Sequence, residues 1–187
     1  IHACQHGVGR VQLIDFDKDD ALLGELFTTD GRGTMISQSD YDHIRQATAL
    51  DIIGIMAIIR PLEEQGILIA RSRERLEEMI DEFSVMERDG KIIGCIAMHE
   101  LDDESVEIAS VAMHGDYRSG ERGANLLKFA EQSAKRKGKF RLFALTTRTL
   151  HWFIENGFSE TTPNELPCER FKQWQNGRNS KVLVKHI

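Results

Sequence analysis

One carboxylate stands in an otherwise apolar stretch of the chain. Glu107 lies within the segment 106–113, whose residues alternate as in a strand. Strict alternation would place Glu107 on one face with Ala109, Val111 and Met113, where loss of hydration raises the pKa of a carboxyl group. These features make Glu107 a candidate general base near neutral pH. A glutamate at a sheet edge that points into water is the alternative, and on this strand alone it is the simpler interpretation.

A short loop with two glycines follows that strand and leads into an amphipathic helix. Its sequence, Arg-Ser-Gly-Glu-Arg-Gly-Ala, spans residues 118–124. Glycines let a ligand approach the backbone, and the free N–H groups and dipole of a helix N-terminus attract phosphate. Arginine side chains add charge-assisted hydrogen bonds to such a group. The residues predicted to hold phosphate are Arg118, Gly120, Arg122, Gly123 and Ala124.

The distribution of charge favours a small anionic ligand at this loop. The chain has 187 residues and a net charge of −6, which disfavours a nucleic-acid-binding protein. The segment 118–148 nevertheless holds nine Lys or Arg residues and only two acidic ones. A solvated basic helix face is the alternative interpretation. No lysine follows the glycines as in a P-loop, and no dinucleotide fingerprint is present, which disfavours nucleoside triphosphates and NAD.

Composition also bears on compartment and cofactors. No apolar run approaches the roughly 20 residues that a membrane-spanning helix needs. Three scattered cysteines, Cys4, Cys95 and Cys168, indicate a reducing cytosol rather than a disulfide framework. His2, Cys4 and His6 lie close together, but they lack the second ligand pair of a usual zinc site. We therefore predict a cytoplasmic protein with no metal, membrane or nucleic-acid partner.

The elements that must position these groups form an α/β (α+β) pattern from residue 41 onward. Hydrophobic periodicity predicts strands over 44–47, 83–87, 91–99, 106–113, 140–146 and 181–185. Helices are predicted over 52–59, 73–80, 122–137, 150–156 and 168–174. Thr48 and Asp51 resemble a capping box at the first helix, and Pro61 and Gly66 mark its end. The pair Asp89-Gly90 predicts a hairpin turn.

This order of strands, helices and glycine loop resembles the GNAT acetyltransferase family. The resemblance implies a mixed, mostly antiparallel central sheet flanked by helices, with acetyl-CoA bound where the fourth and fifth strands part. The family's pyrophosphate loop has the pattern Gln/Arg-x-x-Gly-x-Gly/Ala. Arg118 and Gly123 match it, and Glu121 stands where glycine is usual. By the same resemblance, the backbone of Val111 and Met113 holds the pantetheine arm of the cofactor.

The family resemblance also implies roles in the reaction. Glu107 is similar in position to the base, which acts through a water. Phe153 replaces the tyrosine that often protonates the CoA thiolate, so another acid is needed. Thr146, at the end of its strand, is similar in position to the family's Ser/Thr acid, and a hydroxyl that caps the backbone there is the alternative. Ser110 would meet the substrate through its backbone.

Longer segments are similar to the bacterial N-acetylglutamate synthases. They are residues 44–48, 58–68, 71–74, 142–147, 165–167 and 176–183. The resemblance implies transfer of an acetyl group from acetyl-CoA to the α-amino group of L-glutamate, the first step of arginine biosynthesis. Glutamate carries two carboxylates, which arginine binds bidentately. The matching substrate positions are Arg71, Arg170, Arg178 and Ser180.

Residues 1–36 differ from the rest of the chain. A strand over 11–15 and a helix over 21–27 are too little to bury a core alone, so we expect them to need another surface and the protein to be a homo-oligomer. Residues 21–28 and 31–36 resemble the last helix and strand of an amino-acid-kinase-like domain, which binds inhibitory arginine in the synthases. We predict a kinase-like remnant over 1–36, a seam at 38–40, a GNAT domain over 41–187, and no arginine inhibition of this chain.

Two other functions remain open from the sequence. The first is acetyl transfer to a different amine. The second is a CoA-binding or regulatory module without turnover, which Glu121 in the phosphate loop and Phe153 in place of tyrosine would favour. Release of thiol from acetyl-CoA, measured with and without L-glutamate, distinguishes the three.

Overall fold

The computed structural model describes residues 3, 6, 8, 10–28, 32–37, 42–118, 120–175 and 180–187. It contains two compact units, one of Ile1–His43 with Arg88–Gly90 and one of Ile44–Glu87 with Lys91–Ile187. The seam predicted at 38–40 lies outside the described residues. The kinase-like origin of the first segment and the domain division built on it stay predictions.

Over residues 10–28 and 32–37, the first unit contains a two-stranded antiparallel sheet and a helix. Strand β1, Arg10–Leu13, pairs with β2, Thr34–Ser37, and helix α1 is Ala21–Phe27. The carboxylate of Glu25 accepts hydrogen bonds from the backbone N–H groups of Arg32 (2.7 Å) and Gly33 (2.8 Å). These bonds tie the end of α1 to the turn that leads into β2.

The second unit is built around a seven-stranded sheet. Its strands are β3 (His43–Gln46), β4 (Phe83–Arg88), β5 (Lys91–Glu100), β6 (Ser105–Met113), β7 (Arg141–Thr146), β8 (Ser159–Thr161) and β9 (Lys181–His186). The order across the sheet is β3-β4-β5-β6-β7-β9-β8. The helices are α2 (Ile52–Glu64), α3 (Arg73–Glu78), α4 (Arg122–Arg136), α5 (Leu150–Glu155) and α6 (Cys168–Gln175).

Local sequence signals set several of these boundaries. Thr48 and Asp51 form the predicted capping box before α2, with the Thr48 N–H 2.8 Å from the Asp51 carboxylate. The sequence predicted that Pro61 and Gly66 mark the end of α2. The helix instead continues through Pro61 to Glu64. Gly66, with φ of +68°, takes the left-handed conformation that ends the helix shortly after Glu64.

Helices cover both faces of the sheet. On one face, Leu126, Leu127, Ala130 and Ala134 of α4 pack in a cluster with Ile108 and other buried strand residues. On the other face, residues of α2 pack with Phe83, Val85, Cys95 and Ala97. Burial of each large side chain contributes about 1.5–3 kcal/mol. A change such as Leu126→Ala should cost about 2–5 kcal/mol because a cavity remains.

The sheet opens between its two parallel strands. β6 pairs with β7 from Ser105↔Arg141 to Ile108↔Ala144, and β6 then continues to Met113 without a β7 partner. On its other side β7 pairs antiparallel with β9 along its whole length, to Thr146↔Lys181. The edge of β6 from residue 109 to 113 therefore leaves backbone groups that a ligand can reach.

A bulge in β6 changes which side chains share a face. The β5–β6 register shifts by one residue between Cys95↔Ala112 and Ala97↔Ala109, and Ser110 adopts φ of +50°. Beyond the bulge, Val111 and Met113 pack with the cluster that contains Ile108, whereas Ala109 packs with the opposite cluster. The prediction that Glu107, Ala109, Val111 and Met113 share one face was therefore wrong, because the extra residue reverses the alternation.

Candidate active site

A cleft of about 1010 Å³ lies where β6 and β7 part. Residues 107–113 of β6 line one side, and residues 145–149 line the other. Near the end of β6 the cleft reaches the first turn of α4, and near Glu107 it reaches Arg71 and Arg170. A helix N-terminus and a pair of arginines thus face the same cavity from different sides.

Glu107 is held by an arginine fork. The side chain of Arg170, on α6, donates from Nε to Oε2 of Glu107 and from Nη2 to Oε1, the second bond at 3.0 Å. The Glu107 carboxylate raises the pKa of Arg170 through this hydrogen bonding. Glu107 is only 7% exposed and lies between β5 and β7, so the sheet-edge alternative is excluded. Its surroundings are also not the purely apolar ones that the strand predicted.

A second arginine lies within electrostatic range of the same carboxylate. The backbone N–H of Arg71 donates to the Glu63 carboxylate at 3.0 Å, which fixes the segment before α3. Burial lowers the pKa of Arg71, while the charges of Glu63 and Glu107 act in the opposite direction. The structure therefore brings Arg71, Arg170 and Glu107 together around one part of the cleft.

Ser110, at the bulge, presents a buried polar group to the cleft. Its Oγ is buried and has no hydrogen-bond partner within the described residues. Its carbonyl oxygen accepts a weak hydrogen bond from the Sγ of Cys95 at 3.6 Å. Burial raises the pKa of Cys95 to about 12, so the thiol stays neutral and does not serve as a nucleophile. The Ser110 hydroxyl is the kind of group that a bound ligand completes.

Thr146 caps the backbone, as one of the two interpretations of its sequence position predicted, and its role as an acid stays a prediction. Its Oγ1 accepts hydrogen bonds from the backbone N–H groups of Arg148 (3.2 Å) and Thr149 (2.9 Å), so it caps the turn into α5. It also lies 2.8 Å from the hydroxyl of Thr149. Because two N–H groups occupy its lone pairs, the Thr146 hydroxyl can act only as a donor, toward Thr149 or toward the cleft.

The loop before α4 has the backbone geometry of an anion site. Gly120 adopts φ of +79°, and the first hydrogen bond of α4 runs from Asn125 N to Glu121 O at 2.8 Å. The N–H groups of Gly123 and Ala124 precede that bond and find no acceptor among the described residues. The guanidinium of Arg118 lies at the same opening, with Nε 3.4 Å from Met113 O.

The cleft between two diverging parallel strands, beside a helix N-terminus, is the arrangement that the resemblance to GNAT acetyltransferases predicted. A comparison with known families supports that resemblance. The model of the acetyltransferase (GNAT) family matches residues 54–158. The chain belongs to the GNAT family. The predicted GNAT fold, with a mixed and mostly antiparallel sheet, is confirmed.

Close similarity extends over the whole chain. It is 46% identical, over 99% of its length, to the amino-acid acetyltransferase of Pseudomonas fluorescens, of which it covers 43%. It is also similar to N-acetylglutamate synthase from Neisseria gonorrhoeae complexed with coenzyme A and N-acetyl-glutamate, with 45% identity, a TM-score of 0.77, and 99% and 44% of the two chains covered. A second structure of that synthase, with coenzyme A and L-arginine, gives 42% identity, a TM-score of 0.85, and coverage of 100% and 42%. The chain thus spans less than half the length of these relatives.

Two residues of the GNAT phosphate loop have side chains that do not line the cleft. The guanidinium of Arg122 lies 5.8 Å from the centre of the Tyr117 ring, and its side chain is not among those that line the cleft. The backbone of Arg122 begins α4, and its contact with the cofactor stays a prediction. Glu121 also does not line the cleft, so its carboxylate does not oppose a phosphate bound there.

The remaining substrate positions lie at the end of the chain. Ser180 lines the cleft, and its carbonyl oxygen accepts a 3.0 Å hydrogen bond from Nε1 of Trp174. Arg178 lies outside the described residues. Phe153, in the place of the family's tyrosine, is buried between Trp152 and Phe158 in edge-on ring contacts, and it supplies no hydroxyl.

His99 and Glu82 also line the cleft, and sequence reasoning missed both. A signal for His99 was present, because pairing the hairpin strands 91–99 and 106–113 places it near Glu107. Glu82 precedes a strand and carried no motif.

Among the residues that the structure describes, no group of His, Cys, Asp and Glu side chains is arranged to bind a metal ion. None of the helices in those ranges is both long and apolar enough to cross a membrane.

Proposed function

We propose that this chain transfers the acetyl group of acetyl-CoA to the α-amino group of L-glutamate, giving N-acetyl-L-glutamate and CoA. The observation that carries the proposal is one cleft that combines three features. It has an open β6 edge, a helix N-terminus whose first N–H groups find no acceptor in the part of the chain that the structure describes, and a buried carboxylate flanked by two arginines. The N-acetylglutamate synthase from Neisseria gonorrhoeae was solved with coenzyme A and N-acetyl-glutamate, which supports this choice.

Acetyl-CoA fits the long axis of the cleft. Its pyrophosphate would accept hydrogen bonds from the N–H groups of Gly123 and Ala124, with Arg118 adding charge. Its pantetheine arm would lie along the open edge of β6 and bond the backbone of Val111 and Met113, in the place of a missing strand. A Cβ at Gly123 would lie 3.2 Å from the Trp152 ring, which is tighter than an ordinary contact, so a larger residue would crowd the start of α4.

L-Glutamate supplies what the basic part of the cleft requires. Its two carboxylates would pair with Arg71 and Arg170, supported by Arg178 and Ser180. A carboxylate that takes the fork of Arg170 also removes that fork from Glu107. Binding of the substrate would therefore release Glu107 from Arg170 when the substrate amine arrives.

The reaction removes two protons from the substrate nitrogen, of which one ends on sulfur and one in solvent. Glu107 takes a proton from the substrate ammonium through a water, and the neutral amine then attacks the thioester carbonyl. The backbone of Ser110, displaced by the bulge, meets the reacting end of the substrate. When the carbon–sulfur bond breaks, the Thr146 hydroxyl, whose lone pairs already accept two N–H groups, donates its proton to the CoA thiolate. The second proton of the substrate nitrogen then passes through water to Thr146 and restores its hydroxyl.

Release of CoA thiol from acetyl-CoA tests this function. We expect release with L-glutamate, and little with other amino acids or polyamines, with N-acetyl-L-glutamate formed in equal amount. Turnover with a different amine only would replace glutamate as the acceptor. If calorimetry shows that acetyl-CoA binds but no amine causes release of its thiol, the chain is a CoA-binding module without turnover. A cytoplasmic location and a homo-oligomer stay predictions, and so does the lack of arginine inhibition.

A further inference from the structure

A histidine stands directly beside the proposed base. In the antiparallel register of β5 and β6, His99 is the residue opposite Glu107. Residues opposite each other in such a pair place their side chains on the same face, with Cβ atoms about 4.5–5.5 Å apart. Both side chains line the cleft, and the bulge at Ser110 lies beyond this pair, so the register between them is regular.

The imidazole of His99 is oriented by a second carboxylate. Its Nδ1 contacts Oε2 of Glu82, which ends the turn Ile80–Glu82 before β4. A carboxylate at Nδ1 favours the tautomer with its proton on Nδ1 and a lone pair on Nε2. No described residue makes a hydrogen bond to Nε2. The pair thus offers the cleft a proton acceptor with a fixed orientation, as carboxylate–histidine pairs do in catalysis.

Exposure increases from Glu107 outward. Glu107 is 7% exposed, while the side chains of His99 and Glu82 are 20% and 42% exposed. A proton left on buried Glu107 would block the next turnover and weaken the return of Arg170 to it. It therefore needs a route to water, and His99 is the titratable neighbour on the exposed side.

We propose that the His99–Glu82 pair is a relay that accepts the amine proton from Glu107 and passes it to solvent. This proposal rests on the proposed acetyl transfer. The O–H bond of protonated Glu107 breaks as an N–H bond forms at Nε2 of His99, directly or through one water. The imidazolium keeps its Nδ1–H bond to Glu82, and it then releases the proton from Nε2 to water at the mouth of the cleft.

Charged side chains of both signs line the cleft with His99. Glu82 contacts Nδ1 of His99 and Glu107 lies opposite His99 on β6, while Arg71 and Arg75 also line the cleft. The next residue of β5, Glu100, is engaged by Lys137 and Lys139.

The test compares His99→Gln with the wild-type chain, and His151→Gln is the matched control. His151 is exposed on α5 and does not line the cleft. Initial rates with acetyl-CoA and L-glutamate are measured from pH 5.5 to 9. For His99→Gln we expect kcat to fall at least about tenfold, toward the roughly 10²-fold that a proton-transfer group contributes, with an unchanged KM for acetyl-CoA. Added imidazole should restore part of kcat, and His151→Gln should match the wild type.

Several outcomes would overturn the relay. They are a wild-type kcat and pH profile in His99→Gln, or a loss that imidazole does not restore and that leaves the shape of the pH profile unchanged. If the His99 variant does not fold, Glu82→Gln provides the same comparison, with a smaller loss of kcat and a changed pH profile expected. A wild-type chain that releases no CoA with L-glutamate would reject the acetyl transfer itself, and so that failure is distinguishable.

Discussion

The guanidinium of Arg170 binds both carboxylate oxygens of Glu107, with Nη2 3.0 Å from Oε1. The two residues are 63 positions apart in the chain, and their pairing ties α6 to the centre of the sheet. It also gives the proposed base a partner that a substrate carboxylate could take over.

Removal of the arginine should affect glutamate and stability together. In Arg170→Ala, buried Glu107 loses its paired cation, so we expect unfolding in urea to show a loss of about 1–3 kcal/mol. The KM for L-glutamate should rise at least tenfold while that for acetyl-CoA changes little. Lys172→Ala is the control, since Lys172 is exposed and pairs with the exposed Glu169 at 3.0 Å, so that its loss should change neither quantity. Equal rises in both KM values would remove Arg170 from the glutamate site.

The base assignment predicts a separate effect on turnover. Glu107→Gln keeps the shape of the side chain and removes its ability to take a proton. We expect kcat to fall by about 10²–10⁴, with acetyl-CoA binding by calorimetry retained. Near-normal turnover in this variant would reject Glu107 as the base.

A glutamate contact is also predicted for Arg178. Arg178→Ala should raise the KM for L-glutamate far more than that for acetyl-CoA, because only the amino acid brings carboxylates to this part of the site. Arg136→Ala, at the exposed end of α4, is a suitable control. Similar changes in both KM values would show that Arg178 lies elsewhere.

A substitution at Gly123 tests whether the loop before α4 binds the phosphates of acetyl-CoA. A Cβ at Gly123 would lie 3.2 Å from Trp152 and beside the N–H groups proposed to bind phosphate. Gly123→Val should therefore raise the KM for acetyl-CoA at least tenfold and leave the KM for glutamate nearly unchanged. Gly115→Ala is the control, since a Cβ there meets no atom within 4 Å. A normal KM for acetyl-CoA in Gly123→Val would exclude this docking of the cofactor.

Stability should depend on pH through Asp51, away from the cleft. Hydrogen bonds from Arg45 (2.7 and 2.8 Å) lower the pKa of Asp51 from 3.8 to about 2. Because the folded pKa is below the unfolded one, the ionised carboxylate stabilises the fold above about pH 4, and this contribution is lost as pH falls toward 2. Asp51→Asn should cost about 1–2 kcal/mol at pH 7, allowing for the partial exposure of Arg45. The difference should shrink by pH 2.5 in urea unfolding. A difference independent of pH would contradict this cause.

The sequence predicted what depends on local patterns. Helical periodicity located α2 and α4, and Thr48 and Asp51 located a helix start, because these signals act within a few residues. The bulge at Ser110 was missed, since it depends on how β6 aligns with β5. Contacts across the fold were also missed, such as Arg170 on Glu107 and Glu82 on His99, because only the packed sheet and helices create them.

The most direct test of the central claim is a crystal structure of this chain with CoA and N-acetyl-L-glutamate. We predict a diphosphate within hydrogen-bond distance of the N–H groups of Gly123 and Ala124, and a pantetheine arm along residues 109–113. The acetylated nitrogen should face Glu107, with a glutamate carboxylate on the fork of Arg170. CoA bound outside the gap between β6 and β7, or an Arg170–Glu107 pair left intact beside bound product, would contradict it.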